Sequence, residues 1–240
     1  ASLSIPQTGY QLKHFARSAK IHRVSPEDCK TEGICFPEWN ARCLDWKARY
    51  GIETEKREAK EGYVNSFDFI RDLSDSLPAD AIVVTDMGTA YTCTFQAARI
   101  KYGQRWLTAS GFAPMGYGLP GAIGAHYATG KRITCIVGDG ALMFNLHCLQ
   151  TIGERKLPIN IYVLDNGGYL TMKHTQMNHF GRLVGSEFKF PDWEALGAVF
   201  GVMLNVVKLD PMQQLDRTEQ GRMFAAKNNE IAFEAALDGL

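Results

Sequence analysis

The chain has 240 residues, 45% hydrophobic and 22% charged, the balance of an ordinary globular protein, which excludes a disordered, collagen-like or fibrous chain. Lys+Arg number 26 and Asp+Glu 26, so there is no net charge to draw the chain to nucleic acid or to an acidic membrane. Any phosphate it binds must be held by local geometry or by a metal. No apolar run approaches the roughly 20 residues that span a bilayer. The first six residues, Ala-Ser-Leu-Ser-Ile-Pro, have no basic region and no long apolar core, so we expect neither a secretory leader nor a membrane partner.

Residues 1–62 are polar and rich in charge. Ser25-Pro26-Glu27-Asp28 has the form of a helix start: a capping serine, proline in the first turn, then acids. A helix is expected over 39–49, with Leu44 and Trp46 among charged neighbours. Asn65 then caps a helix over 66–77 whose Phe69, Ile70, Leu73 and Leu77 form one apolar stripe, and Pro78 ends it. From there strands and helices alternate. Strands are expected over 81–85, 106–109, 132–137, 159–164 and 203–207. Helices are expected over 90–100, 119–129 (opened by Pro120), 146–155 and 193–200. Residues 210–240 read as polar, partly helical sequence without a motif.

Continuous apolar strands alternating with helices predict an α/β fold: a three-layer parallel sheet with helices on both faces. Ligands in such sheets bind at the carboxyl ends of the strands. The six cysteines, Cys29, Cys35, Cys43, Cys93, Cys135 and Cys148, form no CxxC pair. They read as buried free thiols of a reducing, cytoplasmic compartment, not as a zinc site.

Two strand ends carry oxygen ligands. Gly138-Asp139-Gly140 follows the strand at 132–137, and Asp165-Asn166 follows the strand at 159–164. The interval between them is one helix plus one strand, a single βαβ step. Adjacent parallel strands would then present Asp139 and Asn166 side by side. A carboxylate, an amide oxygen and nearby carbonyls make a hard oxygen site suited to Mg²⁺ or Ca²⁺. The glycines admit a close phosphate, and the chain after Gly140 offers N–H groups to the same anion.

This pair resembles the signature of thiamine diphosphate-dependent enzymes, Gly-Asp-Gly followed by Asn-Asn, with Asp165 standing where the first Asn is usual. Leu149-Gln150-Thr151-Ile152, Leu157-Pro158-Ile159 and Gly168-Tyr169-Leu170 are similar to the acetolactate synthase large-subunit-like group. So is the loop from Gly111 through Ala113 and Met115 to Pro120. The resemblance covers about residues 60–205. It implies a C-terminal diphosphate-binding domain with thiamine diphosphate and Mg²⁺ as cofactors. Asp139, Asn166 and the carbonyl of Gly168 would hold the Mg²⁺. Gly138, Gly140, Ala141 and Tyr169 would border the diphosphate, with the N–H groups of Gly140 and Ala141 facing it; many relatives have Ser at the latter position. Gly88, Thr89 and Ala90 would lie where acetolactate synthases use Gln and His. The catalytic posture would come from Met115, the apolar wedge that bends the cofactor, and from the carbonyl of Ala113 at its amino group.

The resemblance further implies a pyruvate-like 2-oxo acid substrate, decarboxylated and then joined to a second carbonyl. It implies a partner as well: a pyrimidine-binding domain carrying a glutamate, from the rest of the enzyme or another subunit, in a homodimer or homotetramer. Accordingly, residues 1–62 are expected to be the tail of a middle domain and a linker. Residues 63–207 would be the diphosphate-binding domain, and residues 208–240 a C-terminal extension. Two alternatives stay open. One is a non-catalytic cofactor-binding or regulatory module. The other is a dinucleotide-binding Rossmann domain, because Gly116-Tyr117-Gly118-Leu119-Pro120-Gly121 satisfies GxGxxG. That motif needs a strand feeding its first glycine directly, and Gly111–Met115 reads as loop.

Overall fold

Short runs of Ile, Val and Leu, too short for helices and bounded by turn residues, form the strands of a parallel sheet. The computed structural model describes Ala41, Leu44, Asp45, Ala48, residues 59–211 and Gln213. The chain divides into two units, Ala1–Gly51 and Ile52–Leu240. The four described residues of the first are helical, in keeping with the helix expected over 39–49. The helix start at Ser25 and the sequence after Gln213 lie outside the described residues, as do Cys29, Cys35 and Cys43.

In the second unit the elements run α1 (Ser66–Ser76), β1 (Ile82–Thr85), α2 (Thr89–Ala97), β2 (Arg105–Leu107), α3 (Gly118–Thr129) and β3 (Ile133–Gly138). They continue with α4 (Asp139–Phe144), α5 (Cys148–Glu154), β4 (Ile159–Asp165), α6 (Leu170–Phe180), α7 (Trp193–Val199) and β5 (Leu204–Lys208). The strands pair in the order β2-β1-β3-β4-β5, all parallel.

Alternation along each strand feeds two cores, because successive side chains point to opposite faces. Ile82, Val84, Cys135, Val137, Ile161 and Val163 pack with Leu119 and Ala122 of α3, Leu149 and Ile152 of α5 and Trp193 of α7. Val83, Ile136 and Leu164 pack the other way, with Phe67, Ile70 and Leu73 of α1 and Ala90, Cys93 and Ala97 of α2. Each fully buried aliphatic side chain contributes about 1.5–3 kcal/mol. Cys93, Cys135 and Cys148 are free and buried, and burial pushes the Cys93 thiol up to about 11, so it stays protonated and inert.

Several boundaries differ from expectation. Asn65 does cap α1, accepting from the Phe67 N–H (3.0 Å). α2 stops at Ala97, three residues early, because the chain turns extended at Ala98 and the Arg99 N–H donates to Ser74 Oγ (3.0 Å) on α1. The helix expected over 146–155 is the shorter α5. It is preceded by α4, which begins at Asp139 and is broken at Asn145, where φ is −132°. α6 was not expected: its Thr-Met-Lys-His-Thr-Gln-Met-Asn-His run has little apolar periodicity. Its left-handed cap at Gly181 is the signal that sequence offers. The Rossmann alternative fails on connectivity, since β2 ends at Leu107 and a turn-rich loop separates it from Gly116. Among the described residues, no helix is long and apolar enough to cross a membrane.

Candidate functional site

From β1 the chain crosses to β2 on one side and returns to β3 on the other, so the winding reverses between β1 and β3. The crevice at the carboxyl ends of such strands is the ligand position of open parallel sheets. A cleft of about 280 Å³ opens there. It is lined by Gly88, Thr89, Ala113, Met115, Gly138, Asp139, Gly140, Ala141, Asn166, Gly168 and Tyr169, all expected from sequence. Ala90 does not line it; α2 turns that methyl into the core, where it is fully buried. Met87, Tyr91, Thr92, Leu170, Thr171 and Met172 complete the wall. The last three belong to α6 and escaped the sequence reading with it.

Asp139 organises the floor. β3 delivers it to the first position of α4, where its side chain is 2% exposed. Its Oδ1 accepts from the Gly140 N–H (2.6 Å), and its Oδ2 accepts from the N–H groups of Asn166 and Gly168 (3.0 Å each). The carboxylate therefore ties the end of β3 to the loop after β4. It also occupies the Gly140 N–H that was expected to face a phosphate. Burial pushes the Asp139 carboxyl up to about 6; the three amides oppose that rise, and the Asp165 carboxylate adds to it.

Asn166 stands beside it, 3% exposed. Its Nδ2 donates to Thr89 Oγ1 (3.1 Å), while its Oδ1 is buried without a hydrogen-bond partner. An unpaired buried acceptor costs about 1–3 kcal/mol and asks for an explanation; a cation supplies one. Among the described residues no three His, Cys, Asp or Glu side chains cluster as a metal group. A metal here would take one carboxylate, one amide oxygen and backbone carbonyls, which suits a hard cation that keeps water or phosphate ligands. The floor is kept low: a β-carbon at Gly140 would overlap the Tyr169 ring, which rests edge-on against Phe188.

Three supporting residues escaped the sequence reading. Asp86 follows β1 directly, so three strand ends carry oxygen ligands, not two. It is fully buried and accepts from the N–H groups of Met87 (2.7 Å), Gly116 (3.0 Å) and Gly118 (2.6 Å). Burial raises its pKa, and the same three amides oppose the rise. Its sequence signal was available: an acid at a strand end, as in Gly138-Asp139-Gly140. Asn145 donates through Nδ2 to the Gly116 carbonyl (2.7 Å). Lys173, on α6 and 1% exposed, donates to the carbonyls of Gly167 (2.9 Å) and Asn166 (3.4 Å). Neither has a sequence signal, because an Asn past a helix and a Lys in a polar helix read as solvated.

Residues 86–228, more than half of the chain, match the family described as thiamine pyrophosphate enzyme, C-terminal TPP binding domain. The chain belongs to that family, and its cofactor is thiamine diphosphate. The acetolactate synthase isozyme 2 large subunit of Escherichia coli (strain K12) is 33% identical over 136 residues, 55% of this chain and 25% of that protein. An acetolactate synthase large subunit of Parasynechococcus marenigrum (strain WH8102) is 30% identical over 184 residues, 75% of this chain and 28% of that protein. The chloroplastic acetolactate synthase 1 of Zea mays is 30% identical over 158 residues, 65% of this chain and 22% of that protein. The chain thus spans about a quarter of the length of these relatives.

Proposed function

We propose that this chain is the diphosphate-binding portion of an Mg²⁺-dependent enzyme that decarboxylates a pyruvate-like 2-oxo acid and joins the product to a second carbonyl compound, as the names of its acetolactate synthase relatives imply. One observation carries the reading. The buried Asp139 carboxylate and the unpartnered Asn166 Oδ1 stand at the ends of adjacent strands β3 and β4. Both lie inside the family match.

In this reading Asp139, Asn166 Oδ1 and the Gly168 carbonyl hold Mg²⁺ against the diphosphate. Gly88 and Thr89 at the start of α2, with Gly138, Gly140, Ala141 and Tyr169, border the phosphates. With no Gln or His at positions 88–90, backbone groups and the Thr89 hydroxyl take up the contact there. Met115 packs on the core with part of its side chain and turns the rest to the cleft, which fits a wedge beneath a bent cofactor. Ala113, at φ +50° in the wall of the cleft, would offer its carbonyl to the cofactor's amino group. When bound, thiamine diphosphate would supply the electron sink that decarboxylation of a 2-oxo acid requires. The protein's share is to bind, bend and shield it.

The reading includes a partner. A pyrimidine-binding domain with a glutamate, from elsewhere in the enzyme or from another subunit of a homodimer or homotetramer, completes the site. Residues 63–207 form the diphosphate-binding domain, preceded over 1–62 by the end of a middle domain and a linker and followed by an extension over 208–240. Calorimetric titration with thiamine diphosphate, with and without Mg²⁺, tests it. Metal-dependent binding is expected. Binding indifferent to Mg²⁺ overturns the site, and failure of the assembled enzyme to consume any 2-oxo acid overturns the reaction.

A further inference from the structure

Gly116 follows Met115 directly and is gripped from both sides. Its N–H donates to Asp86 Oδ1 (3.0 Å) and its carbonyl accepts from Asn145 Nδ2 (2.7 Å). Its φ is +90°, and a β-carbon there would stand 2.8 Å from the Phe144 β-carbon and 2.9 Å from Asn145 Nδ2. Only glycine fits this turn, and the turn is pressed against the end of α4.

The two gripping groups come from the two halves of the cleft. Asp86 follows β1 and is locked to β3 by its own N–H, which donates to the Ile136 carbonyl (2.8 Å). Asn145 closes α4, the six-residue helix that begins at Asp139. Among the described residues, no Lys, Arg or His bonds to the fully buried Asp86 carboxylate; its partners are three backbone amides. A buried carboxylate without a cation costs more than an apolar residue of its size. What it supplies in return is acceptors for the Gly116 and Gly118 amides of a turn that no sheet ladder serves.

We infer that Asp86 and Asn145 are positioning residues that together set where Met115 and Ala113 stand relative to Asp139. Neither side chain lines the cleft, so neither is a catalytic residue. The inference rests on the reading of Met115 as the cofactor's wedge. The pair makes one rigid unit of the wedge loop and the metal-loop helix, so the two ends of the cofactor are held at a fixed separation.

The test uses Asp86→Asn and Asn145→Ala in the full-length enzyme. Asparagine keeps the size of Asp86 but turns an N–H donor toward at least one of the three amides. Without cofactor, amide hydrogen exchange at whichever of Gly116 and Gly118 the new NH₂ faces is expected to quicken about tenfold in Asp86→Asn, the equivalent of one lost hydrogen bond. With cofactor, the affinity for Mg²⁺ and thiamine diphosphate is expected to stay within about threefold of wild type. Deuterium exchange at the thiazolium C2 position is expected to slow about 10- to 100-fold, because misplacement of about an ångström costs that much. Wild-type C2 exchange in folded, cofactor-binding variants overturns the inference. If Asp86→Asn does not fold, Asn145→Ala, whose side chain is only partly buried, decides on the same readouts. A wild-type enzyme that binds no thiamine diphosphate would refute the proposed function instead. The amide-exchange arm then judges the clamp alone, and unprotected Gly116 and Gly118 in wild type would refute it.

Discussion

Asp139→Asn should separate what this carboxylate does for the fold from what it does for the cofactor. Its pKa stands at about 6 in the native protein against 3.8 for an ordinary aspartate, mainly through burial. The native state therefore keeps a proton between about pH 4 and 6 that the unfolded chain has given up. Stability in the absence of metal falls as pH rises through that window, by up to about 3 kcal/mol at 1.36 kcal/mol per unit. The side chain is 2% exposed, so solvent screens little of this. Asparagine has no such titration. It can keep its oxygen toward the Asn166 and Gly168 amides, but its NH₂ must then face the Gly140 N–H. That unpaired contact costs about 1–3 kcal/mol at every pH. Chemical denaturation in chelator from pH 4 to pH 8 should therefore show the variant weaker than wild type at pH 4 and level with it, or more stable, at pH 8. The difference should swing by about 3 kcal/mol across the range. In calorimetry the same variant should lose Mg²⁺-dependent thiamine diphosphate binding. A stability difference that stays constant with pH refutes the electrostatic argument, and retained metal-dependent binding refutes the assignment of Asp139 to the metal.

Three further outcomes are expected. Thr89→Val removes the hydroxyl that accepts from Asn166 Nδ2; it should cost about 0.5–1.5 kcal/mol in urea unfolding and weaken cofactor binding by letting the amide rotate. Lys173→Met leaves the Gly167 and Asn166 carbonyls unpaired while removing a buried charge. The expected net loss is about 1–3 kcal/mol by thermal unfolding, with weaker thiamine diphosphate binding, and an unchanged dissociation constant would show that the clamp on this loop is dispensable. Gly140→Ala should lower cofactor affinity because its methyl displaces the Tyr169 ring. Tyr169→Leu in the same chain should recover part of the loss, so the two changes should be non-additive in a double-mutant cycle.

The layers of this fold are legible in the chain because strand and helix differ in period. The runs at 82–85, 133–137 and 159–164 are apolar but for Thr85, Thr134 and Asn160, and near-continuous apolar runs of this length belong to strands covered on both faces. The pairing of Asp139 with Asn166 was legible for the same reason: one crossover between parallel strands brings consecutive strand ends to one edge. Tertiary structure alone decided the strand order, and with it the reversal between β1 and β3 that opens the cleft. Local sequence carries no record of the side of β1 to which each crossover will carry the chain. It also decided the supporting shell. Asp86, Asn145 and Lys173 act on backbone groups 30, 29 and 6 residues away, and an acceptor's need for a donor becomes visible only when folding removes water from both. α6 lies between the two cases. Its polar composition conceals the helix, whose anchors are tertiary: the buried Leu170 side chain and the buried Lys173 ammonium, which donates to the Asn166 and Gly167 carbonyls.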